Sequence, residues 1–364
     1  MKWKPDWPQA KQNHIRWWNR DGMVLWLTAG RADQAAPVPG GPTVKPTPPA
    51  DIVTRWCDPQ YRAAADEWGM AHSHYFADAF PYFCAQIGPG SLGTFLGSTP
   101  HFAEDTVWYE PCIADPQASG PLRLAREGNH WLDVHLALLD ECLRRAGGQV
   151  PVCMPDLIEN LDTLAALRDT ETLMTDLIER PEWVLAKLWE INEAFFAAFD
   201  LIYQRVRDAD GGNVFAFSIW GPGRTAKLQC DLSCMLSGEM FRRFVAPPLT
   251  AQCQWLDFSM YHLDGEDALH HLDTLLAIES LDAIEWTPRL LSTGLASEMG
   301  GSPKFYDLYR RIKSAGKSVQ AVCVRPDQLV PLLDAVGPEA MFIQTWAADE
   351  PEAEKMLKAV ERFR

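Results

Sequence analysis

The sequence predicts an α/β protein folded as a single (β/α)₈ TIM barrel over residues 1–364. Strand-like segments alternate with helices of about ten or more residues along the second half of the chain. These segments are apolar almost throughout, which is typical of parallel strands covered by helices. Five such units in the second half, with at least two before them, fit a closed barrel better than two separate domains.

The first half begins with a predicted N-terminal helical extension over residues 1–23. A strand over residues 24–28 follows, and then a Pro-rich loop over residues 32–53 whose prolines restrict the backbone. A helix is predicted from residue 122 to residue 145, because apolar residues recur there at helical spacing, and a strand over residues 150–154 comes after it.

The second half opens with an amphipathic helix from Pro181 to about Arg207. Strands and helices then alternate to the end. The predicted strands cover residues 213–219, 256–262, 281–286, 317–323 and 340–345, and the predicted helices start at Ser237, Gly265, about residue 303, Pro326 and Asp349.

The composition and motifs of the chain argue against several classes of partner and cofactor. The net charge is −16, from 49 acidic and 33 basic residues, which argues against a nucleic acid partner. No glycine-rich phosphate-binding motif follows a strand, so no nucleotide cofactor is predicted. The absence of a long apolar segment and of a secretion signal predicts no membrane partner and a cytoplasmic protein. Nine scattered cysteines indicate reduced thiols rather than a disulfide framework.

The stretch from Tyr261 to Asp273 is dense in ionisable groups. In a barrel of this type, function lies where strands end and helices begin, and the predicted strand ends at Tyr261-His262-Leu263-Asp264. His262 and Asp264 alternate along it, so they would point the same way and could share a ligand or a metal. Asp264 could equally serve as a helix N-cap, and His262 could be a satisfied core histidine.

Further polar and aromatic candidates stand near other predicted strand ends. Arg224 follows a Gly-Pro-Gly segment and could bind an anion, although that segment is equally consistent with a simple turn. Cys323 is more typical of a buried small hydrophobe than of a ligand. The acidic candidates are Asp78 and Glu285, the second basic candidate is Arg31, and the predicted cleft walls are Trp220, Tyr261, Trp286 and Trp346.

Several segments resemble one known family, the uroporphyrinogen decarboxylase superfamily, and particularly its divergent decarboxylase-like branch. The resemblance covers nearly the whole chain. The segments that carry it are FADAFPYFCAQIGPGSLGTFLG (76–97), EDTVWYEP (104–111), LQCDLSCMLSGEMFRRFVAPPL (228–249), SMYHLDGEDALHHLDTLL (259–276), LDAIEWTP (281–288) and YDLYRRIKSAGKSVQ (306–320). The resemblance implies a (β/α)₈ barrel with its cleft at the carboxyl ends of the strands.

The superfamily contains methyltransferases that use zinc held by a His-x-Cys pair and a later cysteine. This sequence has His262 at the histidine position, Asp264 in place of the first cysteine, and Thr345-Trp346 in place of the later one. A harder site of histidine and carboxylates is therefore expected, bound to zinc or another divalent metal, with Glu285 or Cys323 as a further ligand. The resemblance implies methyl transfer from a small substrate to a thiol or to a corrinoid protein, and a corrinoid would enter only through that partner. It is also compatible with a homodimer.

The true decarboxylases carry two arginines in an Arg-Gln-Ala-Gly-Arg motif, and only the second has a counterpart here, Arg31. Their catalytic aspartate corresponds to Asp78. Decarboxylation of a tetrapyrrole-like carboxylate is thus the alternative prediction, and a non-catalytic ligand-binding or corrinoid-protein partner is a third.

In the leading hypothesis, His262 is the central catalytic or metal-binding group and Asp264 is its orienter or co-ligand. Asp78 and Glu285 are acid/base candidates, while Arg31 and Arg224 hold an anionic part of the substrate.

Overall fold

The computed structural model describes residues 1–30, 37–84, 86–289 and 299–364, so Arg31 lies outside the described residues. Strands make up the centre of this part of the chain. In chain order they are β1 (Val24–Gly30), β2 (Ser73–Ala77), β3 (Thr99–Phe102), β4 (Val107–Glu110), β5 (Asn213–Phe215), β6 (Ile219–Gly221), β7 (Thr225–Gln229), β8 (Phe258–Asp264), β9 (Ala283–Thr287), β10 (Ser318–Val324) and β11 (Met341–Ala347).

The central sheet has seven strands in the order β2-β1-β11-β10-β9-β8-β7. Six of them are parallel, and β2 runs antiparallel to β1. Isolated parallel bridges from Phe83 to Val152 and from Cys153 to Val214 add further strand-like positions. The prediction of an α/β fold around a parallel sheet is confirmed, while closure into an eight-stranded barrel stays a prediction.

Helices connect these strands and cover the sheet. They are α1 (Trp7–Trp18), α2 (Ile52–Cys57), α3 (Pro59–Ala71), α4 (Ser91–Phe95), α5 (His130–Ala146), α6 (Asn160–Arg168), α7 (Thr170–Glu179), α8 (Pro181–Val206), α9 (Gly238–Met240), α10 (Ala246–Trp255), α11 (Leu272–Leu276), α12 (Tyr306–Ser314), α13 (Leu329–Val336) and α14 (Glu350–Val360). In the described part of the chain, no helix has the length and apolar character that crossing a bilayer requires.

The long amphipathic helix predicted from Pro181 is confirmed as α8. Its first residue is a proline, whose fixed φ and missing N–H suit the first turn. Leu188, Ile191, Phe195 and Phe199 are all buried along one side, so the apolar face read from the sequence is the face that packs against the rest of the protein.

The strand predicted over residues 213–219 is wrong in extent. β5 ends at Phe215, the chain reverses through a turn over 216–218, and β6 returns antiparallel to β5. Phe217 and Ser218 both adopt φ of 64°, a left-handed conformation that a β-strand cannot contain. The parallel strand that joins the sheet next to β8 is β7, which the apolar pattern did not reveal.

The predicted strand over residues 150–154 is also shorter than expected, since only Val152 and Cys153 form bridges. The remaining predicted strands match β1, β8, β9, β10 and β11 to within two residues at each end. Apolar residues predominate in each of these strands, which is why the sequence locates them well.

α1 packs across the amino ends of the strands. The Trp17 Nε1 donates to the carbonyl of Val319 at 3.2 Å, and the Trp18 Nε1 donates to the carbonyl of Trp220 at 3.1 Å. The carbonyl of Trp17 in turn accepts a hydrogen bond of 2.6 Å from the Ser318 hydroxyl. Because these contacts cover the amino end of the sheet, the carboxyl end is left for ligands.

Candidate functional site

Three side chains that could together hold a metal ion lie at the carboxyl ends of β7 and β8. One ligand atom each from Asp231, His262 and Asp264 lies within 4.8 Å of the other two. Among the described residues, this is the one group of three or more His, Cys, Asp or Glu side chains that lie close enough to share a metal ion. His262 and Asp264 alternate along β8, so they point to the same face, as predicted. Asp231 comes from the segment directly after β7, where Gln229 pairs with His262.

Glu285 holds His262 from the neighbouring strand β9, at the position paired with it. The Nδ1 of His262 hydrogen-bonds to the Oε2 of Glu285, and the Oε1 of Glu285 accepts from the Thr287 hydroxyl at 2.7 Å. Glu285 is fully buried. Burial lowers the pKa of His262, but the Glu285 carboxylate outweighs it, so the net effect is a raised pKa. With Nδ1 engaged, Nε2 is the ring nitrogen left for a ligand.

Asp231 is held in place through its own backbone. The carboxylate of Asp162 on α6 accepts from the backbone N–H of Asp231 at 2.7 Å and of Leu232 at 2.9 Å. The Gln229 side-chain amide donates to the Asp231 carboxylate at 2.8 Å. Burial, together with the nearby charge of Asp231, raises the pKa of Asp162 to about 7. The loop that carries Asp231 is therefore built around a second acid.

A single buried ammonium lies among these acids. The Nζ of Lys227 is 2.7 Å from the Oδ1 of Asp156, and the Lys227 side chain is 3% exposed. Glu159 is fully buried nearby, its Oε1 accepts from the backbone N–H of Gln229 at 2.8 Å, and burial raises its pKa to about 8. Because Lys227 is paired with Asp156 and the raised pKa leaves Glu159 mostly protonated near pH 7, the acidic character of the cluster comes from Asp231 and Asp264, and these two carboxylates favour a cation over an anion.

Sequence reasoning missed the roles of Lys227, Gln229 and Asp231 in this arrangement. The signal was present as alternation, since Thr225, Lys227, Gln229 and Asp231 are polar and the residues between them are apolar. Such alternation is typical of a strand with one polar face. The prediction relied on uniformly apolar strands, and β7 is not one of them.

The alternative interpretation of Asp264 as a helix N-cap is not supported. Asp264 is the last residue of β8, and Gly265 with φ of 72° takes the cap position of the following short helix without a side-chain capping bond. The Asp264 side chain is thus available to the cluster. Burial raises its pKa, partly offset by His262.

Cys323 does not join the three-residue group. It sits at an irregularity of β10, where the pairing with β11 shifts between Ala321 and Val324, and its φ is 53°. Burial, and then the charge of Glu285, raise the pKa of its thiol. A thiol with a raised pKa is a poor candidate for a ready thiolate ligand.

The prediction that Asp78 lies at the cleft with His262 is wrong. β2 runs antiparallel to β1, so Asp78, directly after β2, lies at the amino end of β1. Its carboxylate accepts from the backbone N–H of Leu25 at 2.8 Å and from the Asn13 amide at 2.7 Å, and the Arg364 guanidinium is 3.2 Å away. Asp78 therefore ties α1 and the C-terminal residue to the first strand.

We expect Asp78→Ala to lower the free energy of unfolding by about 2–4 kcal/mol, because it leaves the buried Leu25 N–H and the half-buried Asn13 amide without an acceptor and removes the ion pair with Arg364. Denaturant unfolding measures this, and Asp21→Ala, at an exposed carboxylate just before β1 whose partner Arg16 is also exposed, serves as the control. The folded fraction should keep wild-type metal content. Normal stability combined with lost activity would instead place Asp78 in the chemistry.

Arg224 and Trp220 also lie at the amino end. Arg224 precedes β7, its backbone N–H donates to Asp257 at 2.8 Å, and its guanidinium lies 4.3 Å from the centre of the Trp255 ring. Trp220 is buried and its Nε1 donates to Asp208 at 2.9 Å. Neither reaches the cluster, because the strand that ends at the site is β7, which begins after Arg224.

The other predicted cleft walls divide between two places. Tyr261 and Trp286 are buried on the opposite face of the sheet from His262 and Glu285, and Trp286 packs on Phe305 with ring centres 5.2 Å apart. Trp346 lies near the carboxyl end of β11, is 40% exposed, and lines a groove of about 730 Å³ with Arg325. Of the three, Trp346 is the one at the carboxyl rim.

No family model and no curated protein sequence matches the chain. A solved structure does. The chain is similar in fold to a methyltransferase from Methanosarcina mazei, with a TM-score of 0.59 over 97% of this chain and 98% of that one, at 11% sequence identity. At that identity, the likeness shows a shared fold.

The donor set of the cluster suits a hard or borderline divalent cation. It offers two carboxylates and an imidazole, ligands that bind zinc, manganese or iron(II), and it contains no thiolate. Glu285 stands where a histidine ligand commonly has a carboxylate on its second nitrogen, an arrangement that fixes ring orientation and tautomer.

Proposed function

We propose that this protein is a methyl-transfer enzyme of the uroporphyrinogen decarboxylase superfamily, built on a closed (β/α)₈ barrel as one domain. His262, Asp231 and Asp264 would hold a divalent metal at the carboxyl end of the sheet. The observation that carries the proposal is the His262–Glu285 pair facing two carboxylates at that end. The fold likeness to a methyltransferase supports the reaction class.

The reaction would move a methyl group from a heteroatom of a small substrate to a thiol, or to a corrinoid carried by a partner protein. The carbon–heteroatom bond breaks as the bond to the acceptor forms, and the leaving heteroatom keeps the electron pair. A bound metal would supply Lewis-acid activation of a heteroatom or thiol at the site.

The chain's own residues prepare this event. Glu285 holds the His262 ring with Nε2 free, and Asp162 fixes the backbone that carries Asp231. The Lys227–Asp156 ion pair is internally neutral, so it leaves the acidic character of the cluster in place. An acidic site favours substrates without carboxylates.

Decarboxylation of a tetrapyrrole-like carboxylate has less support. The aspartate that would balance charge in that reaction, Asp78, lies at the amino end and accepts three hydrogen bonds or ion pairs there. A negatively charged substrate would also meet a cluster of carboxylates.

The first test is metal content combined with methyl transfer. Protein purified without chelators or metal-affinity tags should carry close to one equivalent of a divalent metal, and Asp231→Asn should lose most of it. We expect methyl transfer from members of a panel of methylated alcohols, amines and thiols to free cob(I)alamin. The absorbance of the methylcobalamin formed measures this transfer. Asp257→Asn, an acidic residue at the amino end, is the control. A metal-free, folded wild type with no transfer would reject the proposal.

A further inference from the structure

The turn between β5 and β6 reaches three residues of the central fold at once. β5 and β6 pair antiparallel from Asn213–Gly221 to Phe215–Ile219, and residues 216–218 form the tip. At that tip, Phe217 contacts His262 and Gln320, and Ser218 contacts Tyr82. A hairpin whose tip meets His262 lies directly at the candidate site.

The backbone of this tip is strained. Phe217 and Ser218 both have φ of 64°, a region that non-glycine residues rarely occupy and that typically costs about 1 kcal/mol or more per residue. Such a conformation persists only where surrounding contacts enforce it. Neither residue is a glycine or an asparagine, the residues that adopt this left-handed conformation most readily. Contacts with surrounding side chains must therefore account for the conformation.

Two hydrogen bonds enforce it. The Gln320 side-chain amide donates to the carbonyl of Phe217 at 2.9 Å, and the hydroxyls of Tyr82 and Ser218 share a hydrogen bond of 3.0 Å. Gln320 is fully buried, and its Oε1 has no hydrogen-bond partner among the described residues. A buried amide that leaves its own oxygen unsatisfied contributes mainly by holding the Phe217 carbonyl.

The result is a ring placed on His262. The centres of the Phe217 and His262 rings are 4.8 Å apart, with an angle of 33° between the planes. Glu285 engages the edge of the imidazole at Nδ1, while Phe217 covers one face. Edge and face contacts together restrict both rotation of the imidazole and its tilt.

We propose that Phe217 is a positioning residue that sets the plane of His262, so that Nε2 faces the carboxylates of Asp231 and Asp264, with Gln320 holding Phe217 in turn. This inference rests on the proposed function for its consequence, which is metal affinity. The contact between Phe217 and His262 involves protein atoms alone. The positioning of His262 by Phe217 and its effect on metal affinity can therefore be tested separately.

The first measurement needs no metal. The ¹⁵N resonances of the His262 ring are recorded in metal-free protein for wild type, Phe217→Ala and Phe217→Tyr. We expect displaced or broadened His262 resonances in Phe217→Ala and near-native ones in Phe217→Tyr, which keeps the ring. Unchanged His262 resonances in a folded Phe217→Ala protein would overturn the inference, regardless of the result of any metal titration.

The second measurement titrates the same variants with Co²⁺ and follows its visible absorption bands. We expect Phe217→Ala to bind Co²⁺ about 10-fold more weakly or worse, with altered bands, as is usual when a group that orients a metal ligand is lost. Phe217→Tyr should restore both. Wild-type affinity and bands in Phe217→Ala would also overturn the inference. Failure of the wild type to bind Co²⁺, with the NMR effect intact, would count against the proposed function alone.

Gln320→Met separates positioning from general stability, because it keeps the volume of the side chain but removes the donor to Phe217. We expect it to reproduce the His262 displacement of Phe217→Ala in weaker form. Trp189→Ala, at an exposed ring on α8, is the matched aromatic control and should leave the His262 resonances unchanged.

Discussion

Replacing His262 by alanine should remove the bound metal and lower methyl transfer by about 1,000-fold or more, as is typical when a central catalytic group is deleted. His262 supplies the one nitrogen ligand of the cluster, and two carboxylates alone hold a transition metal weakly. The imidazole is 10% exposed, and its loss leaves the buried Glu285 carboxylate without its partner, so denaturant unfolding first checks that the variant is folded. Metal analysis and the methylcobalamin assay measure the two effects.

The control for this variant is His101→Ala, which deletes a histidine that also pairs with a glutamate, Glu110, but on the β3–β4 hairpin. It should keep wild-type metal and activity. If His262→Ala folded normally and retained both metal and transfer, His262 would be no more than a packed histidine. If it lost metal but kept activity, the metal would be structural and the chemistry would lie elsewhere.

The sequence located the sheet well where apolar residues predominate in a strand, as in β8, β10 and β11. It failed at residues 213–229, because an apolar run there conceals a chain reversal. Phe217 and Ser218 carry no turn signature, and their left-handed backbone is enforced by Gln320 and Tyr82, residues distant in the chain. Local patterns cannot report a conformation that tertiary contacts impose.

The part of the candidate site that local sequence patterns determine could be predicted, and the part that depends on tertiary structure could not. His262 and Asp264 share one strand, so alternation alone brings them together. Glu285 joined them because parallel strands end at the same edge. Asp231 needed recognition of β7, whose alternating polar residues do not fit the uniformly apolar pattern on which the prediction relied. Asp78 was misplaced because the direction of β2 decides which end of the sheet it reaches, and a pattern of apolar residues does not specify strand direction.

Replacing Glu285 by glutamine should weaken metal binding by about 10- to 100-fold, the range usual for carboxylates that orient a ligating histidine. The amide keeps the shape of the side chain and can still accept from His262 Nδ1–H, but it removes the negative charge. Isothermal titration with Zn²⁺ measures the affinity. Thr287→Val, which deletes the other hydrogen bond to Glu285 and retains its charge, should have a smaller effect.

The same variant gives a pH signature in the metal-free protein. Glu285 is what raises the pKa of His262 against the opposing effect of burial, so in Glu285→Gln that pKa should fall. A histidine with a raised pKa in the folded state contributes stability that is fully present below its unfolded pKa of about 6.5 and is lost as pH rises through the folded value. The stability advantage of wild type over Glu285→Gln should therefore be larger at about pH 6 than at about pH 9. Denaturant unfolding of both proteins at both pH values tests this. If the difference in free energy of unfolding between wild type and Glu285→Gln were the same at the two pH values, Glu285 would act on His262 through its shape and not through its charge.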